Sequence, residues 1–248
     1  MESRILGFIG SDKYDIILYL SQIFRTLEYK ILIVDCSENR ALSYCIPEPK
    51  IDKNAVLYVH ESVQEERDES YYITHQGCEF IRNLSYEQIM EKRNEYDCIM
   101  IDFGFHQEER MLDACSQVIL CVDQQLQNMI AIRPVFQGRD KLLEKCCLIF
   151  RRIYGCKISM KYLQQELGMS LPRERVYQYD QDMMDIKYCI DSQYNHRIQM
   201  SFLPKGMKSC LSFLLKIIEP TLSREQEKKI YRVCRVKVEG IQHTLVST

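Results

Sequence analysis

Residues 4–35 already confine this chain to a narrow set of folds. Arg4-Ile5-Leu6-Gly7-Phe8-Ile9 is an apolar run of strand length, Asp12 to Glu28 has helical periodicity, and Lys30-Ile31-Leu32-Ile33-Val34-Asp35 is a second apolar run. A strand that is apolar on both sides needs helices over both faces of its sheet, whereas a half-solvated strand alternates polar and apolar. Between the two runs, Ile16, Ile17, Leu20, Ile23, Phe24 and Leu27 recur three and four residues apart, giving one stripe to lay on that sheet. Asp12 is the expected N-cap of this helix.

The pattern repeats downstream. Apolar runs at 55–59, 97–103, 117–123, 145–150 and 175–179 alternate with helical periods at 84–95, 125–143, 159–168, 181–191 and 205–218, the third of these helices capped by Gly168. Strands alternating with crossover helices give an α/β fold: a doubly wound, mainly parallel sheet with helices on both faces. The segment 36–80, with Pro47, Pro49 and an acidic run from Glu61 to Glu69, reads as an elaborated loop region with one or two irregular strands. No repeat or linker divides the chain before Pro220, so residues 1–220 are expected to form one domain and 221–248 a tail. Ligands of such a sheet bind beyond the carboxyl ends of its strands. That directs attention to Gly10 to Lys13, Asp35 to Glu38, Asp102 to Phe105, Asp123-Gln124 and Asp180.

A chain of 248 residues with 46% hydrophobic residues can bury a substantial core, and a formal charge of −2 gives no global attraction to nucleic acid or anionic lipid. No apolar run approaches the length of a membrane span and no charged-then-apolar leader opens the sequence, so the expected location is the cytoplasm. The twelve cysteines lie mostly inside apolar runs and include no C-x-x-C pair, which suits small core hydrophobes in a reducing compartment better than a zinc site. Cys146 and Cys147 should face opposite sides of a strand, a poor arrangement for chelation. The five histidines are scattered without a motif, so a thiol-dependent enzyme is only a third reading.

Several ordered segments carry a family resemblance. Tyr96-Asp97-Cys98-Ile99-Met100-Ile101-Asp102 is similar to a Walker B strand, and Ser116-Gln117-Val118-Ile119-Leu120-Cys121-Val122 to the strand that follows it. Val176-Tyr177-Gln178-Tyr179-Asp180 stands where an isoleucine-proline-tyrosine-aspartate turn is common, and Leu203-Pro204-Lys205-Gly206 opens the last helix. Together, over residues 4–218, they resemble the ParA/MinD family of P-loop ATPases, including its TadZ/CpaE branch associated with pilus assembly.

The chain departs from that family where phosphate is held. The family's deviant Walker A loop cradles phosphate with backbone amides, a lysine and a Ser/Thr hydroxyl. Here the joint is Gly10-Ser11-Asp12-Lys13: Gly10 and Lys13 can be laid on the loop, but Asp12 replaces the last glycine and Tyr14 and Asp15 replace both threonines. The lysine that acts across the dimer has no counterpart. Asp35 matches the first of two aspartates after the second strand; the second, linked to hydrolysis, is Ser37. Phe150 or Arg151 replaces the base-reading asparagine. Asp12 and Asp15 should repel an anion and partly cancel Lys13 and the helix dipole.

The remnant nucleotide site is therefore Gly10, Lys13, Asp35 and Asp102, with no catalytic residue, metal or cofactor assigned. The expectation is a degenerate P-loop protein, not an enzyme, serving as an adaptor or localisation factor through protein–protein contacts. The resemblance implies a place in a membrane-associated secretion or pilus machine, at the inner membrane through a partner, and a homodimer. The small basic spots at Gly138 to Lys141 and at Arg151-Arg152 argue only faintly for nucleic acid. The alternative is a nucleotide-responsive switch that binds ATP and magnesium weakly through Lys13, Asp35 and Asp102.

The tail has two readings. Lys228, Lys229, Arg232, Arg235 and Lys237 could form the basic face of a membrane-lying helix, as the resemblance implies. The alternation in Val-Cys-Arg-Val-Lys-Val favours instead a strand that packs or docks on a partner, and direct membrane contact is disfavoured.

Overall fold

A computed structural model describes residues 3–47, 73–105, 108–155, 157–180, 182–198, 200 and 203–244, with side chains to Cys234. The strand expected at 55–59 lies outside the described residues. The others are present: β1 (Arg4–Gly10), β2 (Ile31–Asp35), β5 (Cys98–Asp102), β6 (Gln117–Val122), β7 (Cys146–Arg151) and β8 (Val176–Tyr179). The hairpin β3 (Ile73–His75) and β4 (Cys78–Arg82) completes an eight-stranded sheet in the order β3-β4-β2-β5-β1-β6-β7-β8. All neighbours are parallel except β3 against β4.

Continuous apolar runs produce this sheet because successive side chains feed opposite cores. Leu6 and Phe8 join one cluster, beneath α1 (Tyr14–Thr26), α8 (Lys205–Ile218) and α9 (Arg224–Thr244), while Ile5 and Ile9 join the other. The second cluster lies under α2 (Tyr86–Lys92), α3 (Glu109–Ala114), α4 (Leu126–Phe136), α5 (Asp140–Glu144) and α6 (Met160–Glu166). Cys147 and Cys146 divide between the clusters in the same way. Burial pushes the thiols of Cys98, Cys115, Cys121 and Cys146 up to about 12.

Three local expectations change and one, for the segment after β2, is met in the described residues. The helix expected over 125–143 is two, because Pro134 weakens α4 near its end and Gly138, at φ +72°, turns the chain into α5. Lys13 takes the N-cap position of α1 without a side-chain cap, and Asp12 instead sits in the left-handed region at φ 44°. Between β2 and β3, the described part of the elaborated region holds a 3-10 turn, Ala41–Cys45, before the hairpin. The tail is the helix α9 and not a strand. Ser223 and Gln226 close a capping box on it, and Ile230, Tyr231 and Cys234 share the face that packs on α1 and α8.

The sheet order places β1 between β5 and β6, so the chain leaves the centre in both directions and opens a crevice at the carboxyl end of β1. Among the described residues, no helix is long and apolar enough to cross a membrane.

Candidate functional site

The carboxyl ends of β1, β2 and β5 bring together the residues singled out in the sequence. Asp35 and Asp102 are register partners on adjacent strands, and Phe8 is paired with Asp102 two residues before Gly10. Gly10 is required here on two counts. Its φ of +97° suits glycine, and an added Cβ would lie 2.0 Å from the Cys121 carbonyl oxygen.

Two amides of the turn bond internally. Gly10 N donates to Gly104 O at 2.8 Å and Ser11 N to Cys121 O at 3.0 Å. Lys13 folds back over the same turn. Its Nζ donates to Gly10 O at 2.7 Å and forms an ion pair with Asp102 Oδ1, also at 2.7 Å. Lys13 is 3% exposed and Asp102 1%, so this lysine is a buried structural cation and not a solvated one. Asp102 Oδ1 accepts a further bond from Gly104 N at 2.9 Å. As arranged, Gly10 N, Ser11 N and Lys13 Nζ each already have an acceptor inside the protein.

The two acidic residues expected to repel anions are neutralised by neighbours remote in sequence. Arg151, at the end of β7, makes a bidentate pair with Asp15, both bonds 2.7 Å, and lies 4.9 Å from the Tyr179 ring centroid. Burial works against the guanidinium charge and Asp15 more than offsets it, so Arg151 titrates above its ordinary value. Cys189 donates its S–H to Asp15 Oδ2 at 3.3 Å, which anchors α7 (Met183–Asn195) to the start of α1. Asp12 pairs with Arg152 at 2.7 Å on the partly exposed rim.

Asp35 is held differently. Oδ1 accepts from Ser37 N and Ser37 Oγ, at 3.0 and 2.5 Å, and Oδ2 from Ser43 Oγ at 3.3 Å. Burial raises its carboxyl above the usual range, the Ser37 bonds oppose that rise and neighbouring Asp102 adds to it. Ser37, which replaces an aspartate of the resembled family, therefore orients Asp35. At the end of β6, Asp123 accepts from Gln125 N and, on both carboxylate oxygens, from Asn128 Nδ2, and Gln124 ties the start of α4 to the chain at Tyr154 and Ile158. Asp180 accepts from Gln178 at 2.6 Å. Among the described residues, no three His, Cys, Asp or Glu side chains gather at metal-ligand distance.

Local sequence signals located Gly10, Lys13, Asp35 and Asp102, and the structure brings all four to one crevice. The Asp15–Arg151 pair escaped notice because nothing local links residues 136 apart.

No family model and no curated protein matches the chain. Solved structures do. The ParA family ATPase from Chlorobium tepidum TLS is 14% identical, with 88% of this chain and 99% of that one covered and a TM-score of 0.57. The MinC:MinD cell division complex of Aquifex aeolicus gives 11% identity, coverage of 87% and 96%, and a TM-score of 0.59. The pNOB8 ParA bound to nonspecific DNA gives 13%, 88% and 99%, and 0.50. At these identities the likeness establishes the fold, which is that of the ParA/MinD P-loop proteins. It also corrects the expectation that the chain is not an enzyme, since the structures sharing the fold belong to an ATPase family. The expectation that nucleic acid is an unlikely partner finds no support either, one of these structures being a DNA complex.

Proposed function

We propose that this chain is a localisation factor of ParA/MinD fold whose output is a protein contact, and in which nucleotide must compete with an internal ion pair. The observation that carries the reading is the buried Lys13–Asp102 pair at 2.7 Å. A P-loop protein aims its lysine at phosphate and its Walker B carboxylate at magnesium. Here each of the two charges occupies the other, so a polyphosphate has to replace a short bond already made in a low-dielectric crevice.

Protein contact is the output favoured by the surface. Nine of the eleven exposed large apolar side chains among the described residues, Tyr44, Leu126, Ile130, Tyr154, Ile158, Tyr162, Met183, Met184 and Ile186, lie in a loop or the first turns of a helix leaving the carboxyl ends of β2, β6, β7 and β8, and the other two, Ile190 and Tyr194, continue along the last of these helices. Apolar groups concentrated at one end of a molecule mark an interaction surface. A role in a secretion or pilus assembly machine at the inner membrane belongs to this proposal, on the strength of the TadZ/CpaE resemblance.

Calorimetric titration with magnesium-ATP tests the nucleotide half. Affinity weaker than about 100 μM, roughly −5.5 kcal/mol, is expected for the native chain. With ATP alone, Asp102→Asn should bind more tightly than the native protein, because Lys13 loses its counter-charge. Tight binding by the native chain that disappears in Lys13→Ala would overturn the proposal. For the contact half, a fluorescently tagged Ile130→Ser/Tyr154→Ser variant should disperse in cells where the native protein is placed. Unchanged placement would count against it.

A further inference from the structure

Helix α7 is amphipathic in the inverted sense. The side turned into the protein carries Asp185, Cys189 and Ser192, all buried. The side turned to solvent carries Met183, Ile186, Ile190 and Tyr194, which are 77%, 39%, 47% and 83% exposed. These four are spaced by three, four and four residues, so they form one stripe along the helix. An ordinary surface helix does the opposite.

The helix cannot roll to hide that stripe. Asp185 closes a capping box with Asp182, whose amide donates to Asp185 Oδ2 at 2.8 Å and whose side chain accepts from Asp185 N at 2.9 Å. Cys189 is bonded to Asp15, itself clamped by Arg151. A rotation that buried Ile190 would pull these polar groups off their partners. Tyr44, 63% exposed on the 3-10 turn that packs against α7, extends the apolar surface sideways.

The stripe is also self-complementary. Laid antiparallel on a second copy about a twofold axis near Tyr188 and Cys189, Met183 meets the second copy's Tyr194 and Ile186 meets its Ile190. Lys187 and Asp191 flank the stripe, and neither forms an ion pair with a described residue. The same axis sets each Lys187 beside the opposite Asp191, so unlike charges meet in two symmetric pairs along one rim. All these pairings agree to within one residue, roughly 1.5 Å of helix rise. That is the requirement of an isologous contact, in which one surface matches itself.

We infer that α7 is the surface through which two copies of this chain pair, helix against antiparallel helix, without nucleotide. One helix pair widened by Tyr44 sits at the small end of specific interfaces, so the dimer dissociates on dilution. Independence from nucleotide keeps its test separate from that of the proposed function.

Sedimentation equilibrium of the full chain without nucleotide, over a wide concentration range, should show a reversible dimer. Ile190→Glu should raise the dissociation constant at least tenfold while leaving the thermal midpoint unchanged at concentrations where the native chain is monomeric, since the side chain is then on the surface. Lys187→Glu should raise it several-fold by opposing two carboxylates. The double exchange Lys187→Glu/Asp191→Lys should restore it to near the native value. A native chain that stays monomeric, pairs only with magnesium-ATP, or forms a dimer indifferent to Ile190→Glu would overturn the inference. So would a double exchange as weak as the single one.

Discussion

The crevice around β1 and the outer face of α7 are two regions of the same carboxyl end, and they resolve their chemistry in opposite ways. At the crevice, Lys13 is paired with Asp102 and Arg151 with Asp15, all of them buried. On α7 the polar residues Asp185 and Ser192 are the ones turned inside, and the apolar ones remain outside. A burial penalty on charge is answered within one chain by a counter-charge, whereas an exposed apolar stripe is answered only by another surface. The centre of this end is therefore self-contained, and its flank is where a partner is needed.

The strongest way to break that contrast is at Arg151. Replacing it with methionine leaves the Asp15 carboxylate buried without its bidentate partner, a loss of about 3–5 kcal/mol. The urea midpoint should drop accordingly, and Asp15→Asn/Arg151→Met should recover much of it. If the single variant unfolds no earlier than the native chain, the crevice is not held by its charges. Lys13→Met is the next step down, at about 2–3 kcal/mol, because Asp102 keeps the Gly104 amide as a partner. A Lys13 variant as stable as the native protein would show the lysine idle in the fold.

The smallest effect comes with pH and concerns the apolar interior. Thiols of the unfolded chain ionise near 9.0, but burial defers Cys98, Cys115, Cys121 and Cys146 to about 12. The unfolded state therefore sheds these protons first. Stability is fully present below about pH 9 and falls as pH rises beyond it, by about 0.4 kcal/mol per buried thiol at pH 9 itself. Thermal melts across that range check it. A midpoint that holds steady would place the thiols nearer solvent than the cores of β5, β6 and β7.

The sheet was readable in advance because strands buried on both faces need unbroken apolar runs, and β1, β2, β5, β6 and β7 have them. Short or ambiguous elements were not. Helix α3 is six residues long, too few to display a period. In the tail, the alternation in Val-Cys-Arg-Val-Lys-Val resembled a strand, while the decisive signal was the Ser223–Gln226 capping box upstream. Gly10 and Lys13 were identified by position. The acceptors of the Lys13 ammonium were not, because a loop sequence does not state which carboxylate a flexible side chain will reach.

Read residue by residue, the chain determined its layered architecture and the four residues that meet beyond β1, since both follow from local periodicity and strand ends. Tertiary structure alone decided that Asp15 would find Arg151, that Lys13 would turn inward, and that α7 would show its apolar side to water. Each depends on which distant groups share a low-dielectric space, and that is settled by packing across the sheet.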